Sequence, residues 1–156
     1  MRILVADDEE PKLTSITEWL SETDSSLEVL VSRSVRTTIQ MAVEHCPDLV
    51  LLDMSLPTFD IARGESGGRP QGFGGAEVLR HFDGHNLRTK VIVITQYEGF
   101  ENNGKKFGLD ELSDTLRREH ASIFVDCLHY NVVNDEWKAQ LAVHLISILE
   151  SGECES

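Results

Sequence analysis

Three short apolar runs constrain this chain more than anything else in it. Ile3-Leu4-Val5-Ala6 leads into Asp7-Asp8, Leu49-Val50-Leu51-Leu52 into Asp53, and Val91-Ile92-Val93-Ile94 into Thr95. Unbroken runs of leucine and β-branched residues predict strands buried on both faces, which a parallel sheet covered by helices provides. Laid side by side, these strands would gather three carboxylates and a hydroxyl at their carboxyl ends. That edge is where open α/β sheets carry their sites.

Helical patterns fill the intervals. Pro11 suits a first turn, and Leu13, Ile16 and Leu20 follow at helical spacing. Leu27 to Val31 reads as a short second strand. Ser34 is placed to cap a helix carrying Val35, Ile39 and Val43, which stops at Cys46-Pro47. Strand three runs from Leu49 to Met54, and a helix from Gly75 to Phe82 presents Val78, Leu79 and Phe82. Strand four is Val91 to Thr95. Leu109, Leu112 and Leu116 mark a helix ending in Arg117-Arg118, where basic residues suit the dipole. Ile123 to Tyr130 gives a fifth strand, and Asn134 caps a last helix whose inner face is Trp137, Leu141, Leu145 and Ile148.

The expectation is an α/β fold: a doubly wound five-stranded parallel sheet with helices on both faces. One domain is expected over residues 1–150, followed by a short tail at 151–156 too short to form an output module. Two stretches exceed the usual connection length, the glycine-rich 58–74 and the polar 98–108, and both would project from the carboxyl edge of the sheet, beside the acidic cluster.

Bulk properties narrow the function classes. The 27 acidic residues outnumber 14 basic ones, for a formal charge of −13, which opposes nucleic-acid binding through clustered Lys and Arg. No apolar stretch approaches the about 18–20 residues of a membrane span, and the opening MRILVADD reads as a strand rather than a signal peptide. Cys46, Cys127 and Cys154 are scattered without metal-ligand spacing, as expected of reduced thiols in a cytoplasmic protein.

The motifs ILVADDEE, DLVLLDMSLP and KVIVITQYE, in this order, resemble the receiver domain of two-component response regulators. The resemblance covers roughly the first hundred residues apart from the glycine-rich insertion. It implies the flavodoxin-like strand order 2-1-3-4-5 and transfer of a phosphoryl group from a histidine kinase or phosphotransfer protein. By the same resemblance, Asp53 is the phosphoacceptor. Asp7, Asp8, Asp53 and the backbone carbonyl of Ser55 hold Mg2+ or Mn2+, and Thr95 is the switch hydroxyl. A non-enzymatic, cytoplasmic signalling protein acting through a downstream protein partner is implied, with a homodimer as a further expectation and no membrane or nucleic-acid contact.

Elementary chemistry supports these roles. A carboxylate attacking phosphorus approaches an anion, so a hard cation bridging the two removes their repulsion. Magnesium accepts carboxylates, a carbonyl and waters as ligands. Crowded carboxylates without a metal repel, which raises at least one pKa. A plainer role for Asp7-Asp8 is to cap the helix that begins near Pro11.

The chain departs from the family pattern at strand five. The family places a lysine followed by proline there, whereas the sequence reads SIFVDCLHYNVVNDEW, with Leu128, His129, Tyr130 or Asn131 at the position. Candidate substitutes are His129, Tyr130, Arg63, Arg69, Lys105 and Lys106. Gln96 stands after Thr95, where the family carries a small residue, and the aromatic switch position falls on neither Phe124 nor Tyr130 cleanly. Two rival readings follow: a pseudo-receiver interaction module regulated without phosphorylation, and a small metal-dependent phosphohydrolase. The latter would need a second aspartate two residues after the first, where Ser55 stands.

Overall fold

The computed structural model describes residues 1–57, 74–87, 89–96, 99–102, 105–131 and 133–153; for 99–102, 105–107 and 151–153 only the backbone is considered. Strands β1 (Arg2–Ala6), β2 (Glu28–Ser32), β3 (Leu49–Leu52) and β4 (Lys90–Thr95) alternate with helices α1 (Glu10–Thr23), α2 (Val35–His45) and α3 (Gly74–Gly84). There follow a hairpin of β5 (Gly99–Asn102) and β6 (Lys105–Gly108), helix α4 (Leu109–Glu119), strand β7 (Phe124–His129) and helix α5 (Glu136–Glu153). Five strands form one parallel sheet in the order β2-β1-β3-β4-β7. This is the flavodoxin-like order expected from the sequence.

Side-chain alternation along the strands divides the core in two. Leu4 and Ala6, Val50 and Leu52, and Val91 and Val93 face α2, α3 and α4, against Ala42, Val78, Leu79, Phe82, Leu112 and Leu116. Ile3 and Val5, Leu49 and Leu51, and Ile92 and Ile94 face α1 and α5, against Leu13, Ile16, Leu20, Trp137 and Leu141. All of these strand residues are at most 1 % exposed, so burying both faces is what the unbroken apolar runs are for.

Register fixes where the strands end. Ala6 pairs with Leu52 and Leu52 with Val93, so Asp7 and Asp53 leave the sheet side by side, while β4 continues to Thr95. Thr95 in turn pairs with His129. The Asp53 N–H donates to the Ala6 carbonyl at 2.9 Å, which ties the two acidic strand ends together.

Several boundaries shift. Ser34 caps α2 as expected: its hydroxyl accepts the Thr37 N–H, and the Thr37 side chain accepts the Ser34 N–H. The inner face of α2 is Val35, Thr38 and Ala42, however, and Val43 is 46 % exposed. A spacing of three then four keeps residues on one stripe better than two steps of four. Strand β3 ends at Leu52 and α5 continues through Glu153. The 98–108 connection contains the antiparallel β5–β6 pair, with Asn102 opposite Lys105. Residues 58–73 lie outside the described residues. Among the described residues, no helix is long and apolar enough to cross a membrane.

Candidate functional site

The carboxyl edge of the sheet brings together the acidic residues named from the sequence. Carboxylate oxygens of Asp7, Asp8 and Asp53 all lie within 4.8 Å of one another. Asp7 and Asp53 are 2 % and 4 % exposed, and Asp8 is intermediate. Asp7 follows β1 directly, and its Oδ1 accepts the Glu9 N–H at 2.9 Å. Asp53 follows β3, and its Oδ1 accepts the Ser55 N–H at 3.3 Å. Helix α1 has Glu9 as its N-cap with no side-chain capping bond, so neither Asp7 nor Asp8 serves as the cap.

Electrostatics mark the cluster as strained. Burial pushes the Asp7 carboxyl up to about 6; Lys12 opposes the shift and Asp53 adds to it. Asp8 is raised by burial and by the charge on Asp7. Asp53 is raised by burial, with Lys12 pulling the other way. Three clustered carboxylates, two of them buried, share too little positive charge.

Among the described residues, an ammonium meets this cluster from Lys12, a residue outside the sequence motifs. Lys12, in the first turn of α1, is 2 % exposed. Its Nζ donates to the Ile94 carbonyl at 2.6 Å and meets Asp7 Oδ2 at 2.8 Å and Asp53 Oδ1 at 3.4 Å. Burial pulls its pKa down, but Asp53 and Asp7 outweigh that and hold it above the ordinary lysine value, so the side chain is charged. A signal was present in the sequence. Lys12, Ile16 and Leu20 are four apart and share the inner face of α1, and a helical side chain reaches toward the turn before its own Cα. That direction leads to the strand ends.

The other proposed residues distribute as follows. Thr95 is fully buried at the end of β4, and its carbonyl accepts the Tyr130 N–H at 2.8 Å. Gln96 donates through Nε2 to Glu9 Oε1 at 2.8 Å, and its carbonyl lies 3.2 Å from His129 Nε2. Tyr130 is buried with its ring 5.4 Å from that of Trp137. Arg63 and Arg69 lie outside the described residues, as do the side chains of Lys105 and Lys106. The approach to the site is also shaped by Gly75. A Cβ there would sit 2.9 Å from the Asp53 carbonyl oxygen and 2.8 Å from Met54 Sδ, so α3 abuts the end of β3 without room for a side chain.

The donor set fits a divalent cation that prefers oxygen: three clustered carboxylates, two of them buried, with one ammonium to balance one of their charges.

No protein-family model matches the chain. The protein y4jR of Sinorhizobium fredii, described as uncharacterized, is 26 % identical over 143 residues, covering 90 % of this chain and 94 % of that one. The Detocs response regulatory protein DtcB of Enterobacter cloacae is 24 % identical over 143 residues, covering 90 % and 95 %. A response regulator receiver domain protein from Clostridium thermocellum superposes with a TM-score of 0.69 at 20 % identity, covering 99 % of this chain and 98 % of that one. The chain therefore has the receiver-domain fold over its length, and its sequence relatives include response regulatory proteins.

Proposed function

We propose that this chain is a signalling receiver that accepts a phosphoryl group on Asp53 and passes the change to a protein partner. The observation that supports it most is the convergence of buried Asp53 with Asp7 and Asp8 at the carboxyl edge of the sheet, beside Thr95 on the neighbouring strand. The name of the Enterobacter cloacae relative, a response regulatory protein, favours the same reading.

In this account a carboxylate oxygen of Asp53 forms a bond to phosphorus as the bond between phosphorus and the donor's imidazole nitrogen breaks. The electron pair leaves with that nitrogen. The Ser55 N–H holds Asp53 Oδ1 and so orients the nucleophile. Asp7, Asp8, Asp53 and the Ser55 carbonyl would hold Mg2+ or Mn2+, whose charge screens the approaching anion. Thr95 lies at the end of β4, and Gln96 links that end to Glu9 before α1 and to His129 at the end of β7. A shift of the Thr95-Gln96 backbone would thereby reach the start of α1 and the end of β7.

Incubation with acetyl phosphate and magnesium should add the mass of one phosphoryl group to the wild type and none to Asp53→Asn. An unmodified wild type, under conditions that modify an ordinary receiver, overturns the reading.

A second reading, an interaction module regulated without phosphate, draws on two observations: Lys12 already neutralises part of the pocket, and Gln96 stands where the family has a small residue. It predicts that Asp53→Asn leaves partner binding unchanged.

A further inference from the structure

We infer that Lys12 is the residue that receives the phosphoryl oxygens on Asp53, so that the cation for this task comes from the first turn of α1 rather than from the end of β7. The inference rests on Asp53 being the phosphoacceptor and names a residue for the next step.

The position of Lys12 needs an explanation. A basic side chain in the first turn of a helix opposes the dipole, and a buried ammonium loses its hydration. Both penalties are tolerated here because the three N–H groups of Nζ meet three acceptors from three different strand ends. Asp7 follows β1, Asp53 follows β3, and Ile94 belongs to β4. These contacts are unequal. The bonds to Ile94 O and Asp7 Oδ2, at 2.6 and 2.8 Å, fix the nitrogen, whereas the approach to Asp53 Oδ1 is loose at 3.4 Å.

That loose third donor is aimed at the carboxylate that would carry the phosphoryl group. Once Asp53 is esterified it keeps no carboxylate charge, and the new negative charge sits on the phosphoryl oxygens. The third N–H of Lys12 can then turn to one of those oxygens while its two anchors stay in place. Lys12 keeps its proton throughout, and no bond to nitrogen forms or breaks. The β7 end offers other chemistry: His129 meets the Gln96 carbonyl, and Tyr130 lies in the aromatic core against Trp137. Anchoring on Ile94 O also places the ammonium one residue before Thr95, so a pull on Lys12 by the phosphoryl group bears directly on the end of β4.

The test uses beryllofluoride, which mimics a phosphoryl group on a carboxylate, and magnesium measured separately. Wild type is expected to bind beryllofluoride in the presence of magnesium, read by fluorine NMR. Lys12→Met and Lys12→Gln should bind it roughly ten- to hundredfold more weakly, the loss of one charge-assisted hydrogen bond. Both variants should bind magnesium alone at least as tightly as wild type, because a like charge has left the pocket. A merely structural role would weaken both ligands together, and that result overturns the inference. Equal beryllofluoride affinity in wild type and variants overturns it as well. Wild type that binds no beryllofluoride overturns instead the assignment of Asp53 as phosphoacceptor. Where the variants fail to fold, a crystal structure of the wild-type beryllofluoride complex decides: Lys12 Nζ within hydrogen-bond reach of a fluoride supports the inference, and Nζ out of reach refutes it.

Discussion

Replacing Lys12 by Met should destabilise the protein in a way that depends on pH, and the size can be worked from Asp7. In the wild type, burial holds the Asp7 carboxyl at about 6 against an ordinary aspartate value of 3.8. A raised carboxyl pKa costs stability once the unfolded chain ionises, so the cost grows between about pH 4 and pH 6 and is constant above. At about 1.4 kcal/mol per pKa unit, that is about 3 kcal/mol at neutral pH. Without Lys12 the carboxyl would shift further, until protonation becomes the cheaper state. Holding it protonated at about pH 7.5 costs about 5 kcal/mol relative to the unfolded chain, so the added loss on this residue is bounded at about 2 kcal/mol. Losing the contacts to Asp53 and Ile94 O adds about 1–3 kcal/mol more, and the sum agrees with the roughly 3–5 kcal/mol for breaking a buried ion pair. At about pH 5 the wild-type Asp7 is already mostly protonated, so its share of the difference falls toward zero. Urea melts of wild type and Lys12→Met at the two pH values should therefore differ by about 2 kcal/mol more at the higher one. A difference that is independent of pH, or larger in acid, would refute the argument.

Removing the carboxylate that Lys12 does not touch has the opposite sign. Asp8→Asn should raise stability without metal by about 1 kcal/mol, because it relieves repulsion with Asp7, and it should shrink the rise in melting temperature that magnesium gives the wild type; a lower metal-free melting temperature contradicts this. Gly75→Ala places a Cβ 2.9 Å from the Asp53 carbonyl oxygen. It should cost about 1–3 kcal/mol and slow modification of Asp53 by a small phosphodonor, since the end of β3 must move; unchanged melting and labelling would show that α3 yields instead.

The parts of this fold legible in the sequence are those where one residue pattern has one physical solution. Val50-Leu51-Leu52 has no polar face, so it demands burial on both sides, and Asp53 directly after it needs a partner or a ligand. Ser34 with Thr37 three residues on could be read as a helix start without knowledge of its surroundings. Lys12 was legible only in part, through its spacing to Ile16 and Leu20. Its first-turn position argues for a solvated side chain, and only the arrival of β3 and β4 beside β1 supplies the acceptors that draw it inside. The family pattern puts the corresponding cation at the end of β7, so the sequence motifs point there rather than to α1. The β5–β6 pair is not legible for a local reason: Asn103-Gly104, a dipeptide favoured in two-residue hairpin connections, lies between the strands in the sequence but is flanked by no clear alternation.

The most direct test of the account is chemical identification of the modified atom. After treatment with acetyl phosphate and magnesium, borohydride reduces an aspartyl phosphate to homoserine, and peptide mass spectrometry locates the change. The account predicts homoserine at position 53 in the wild type, lost when magnesium is withheld. Reduction at another aspartate, or none in a folded, magnesium-loaded protein, would contradict it.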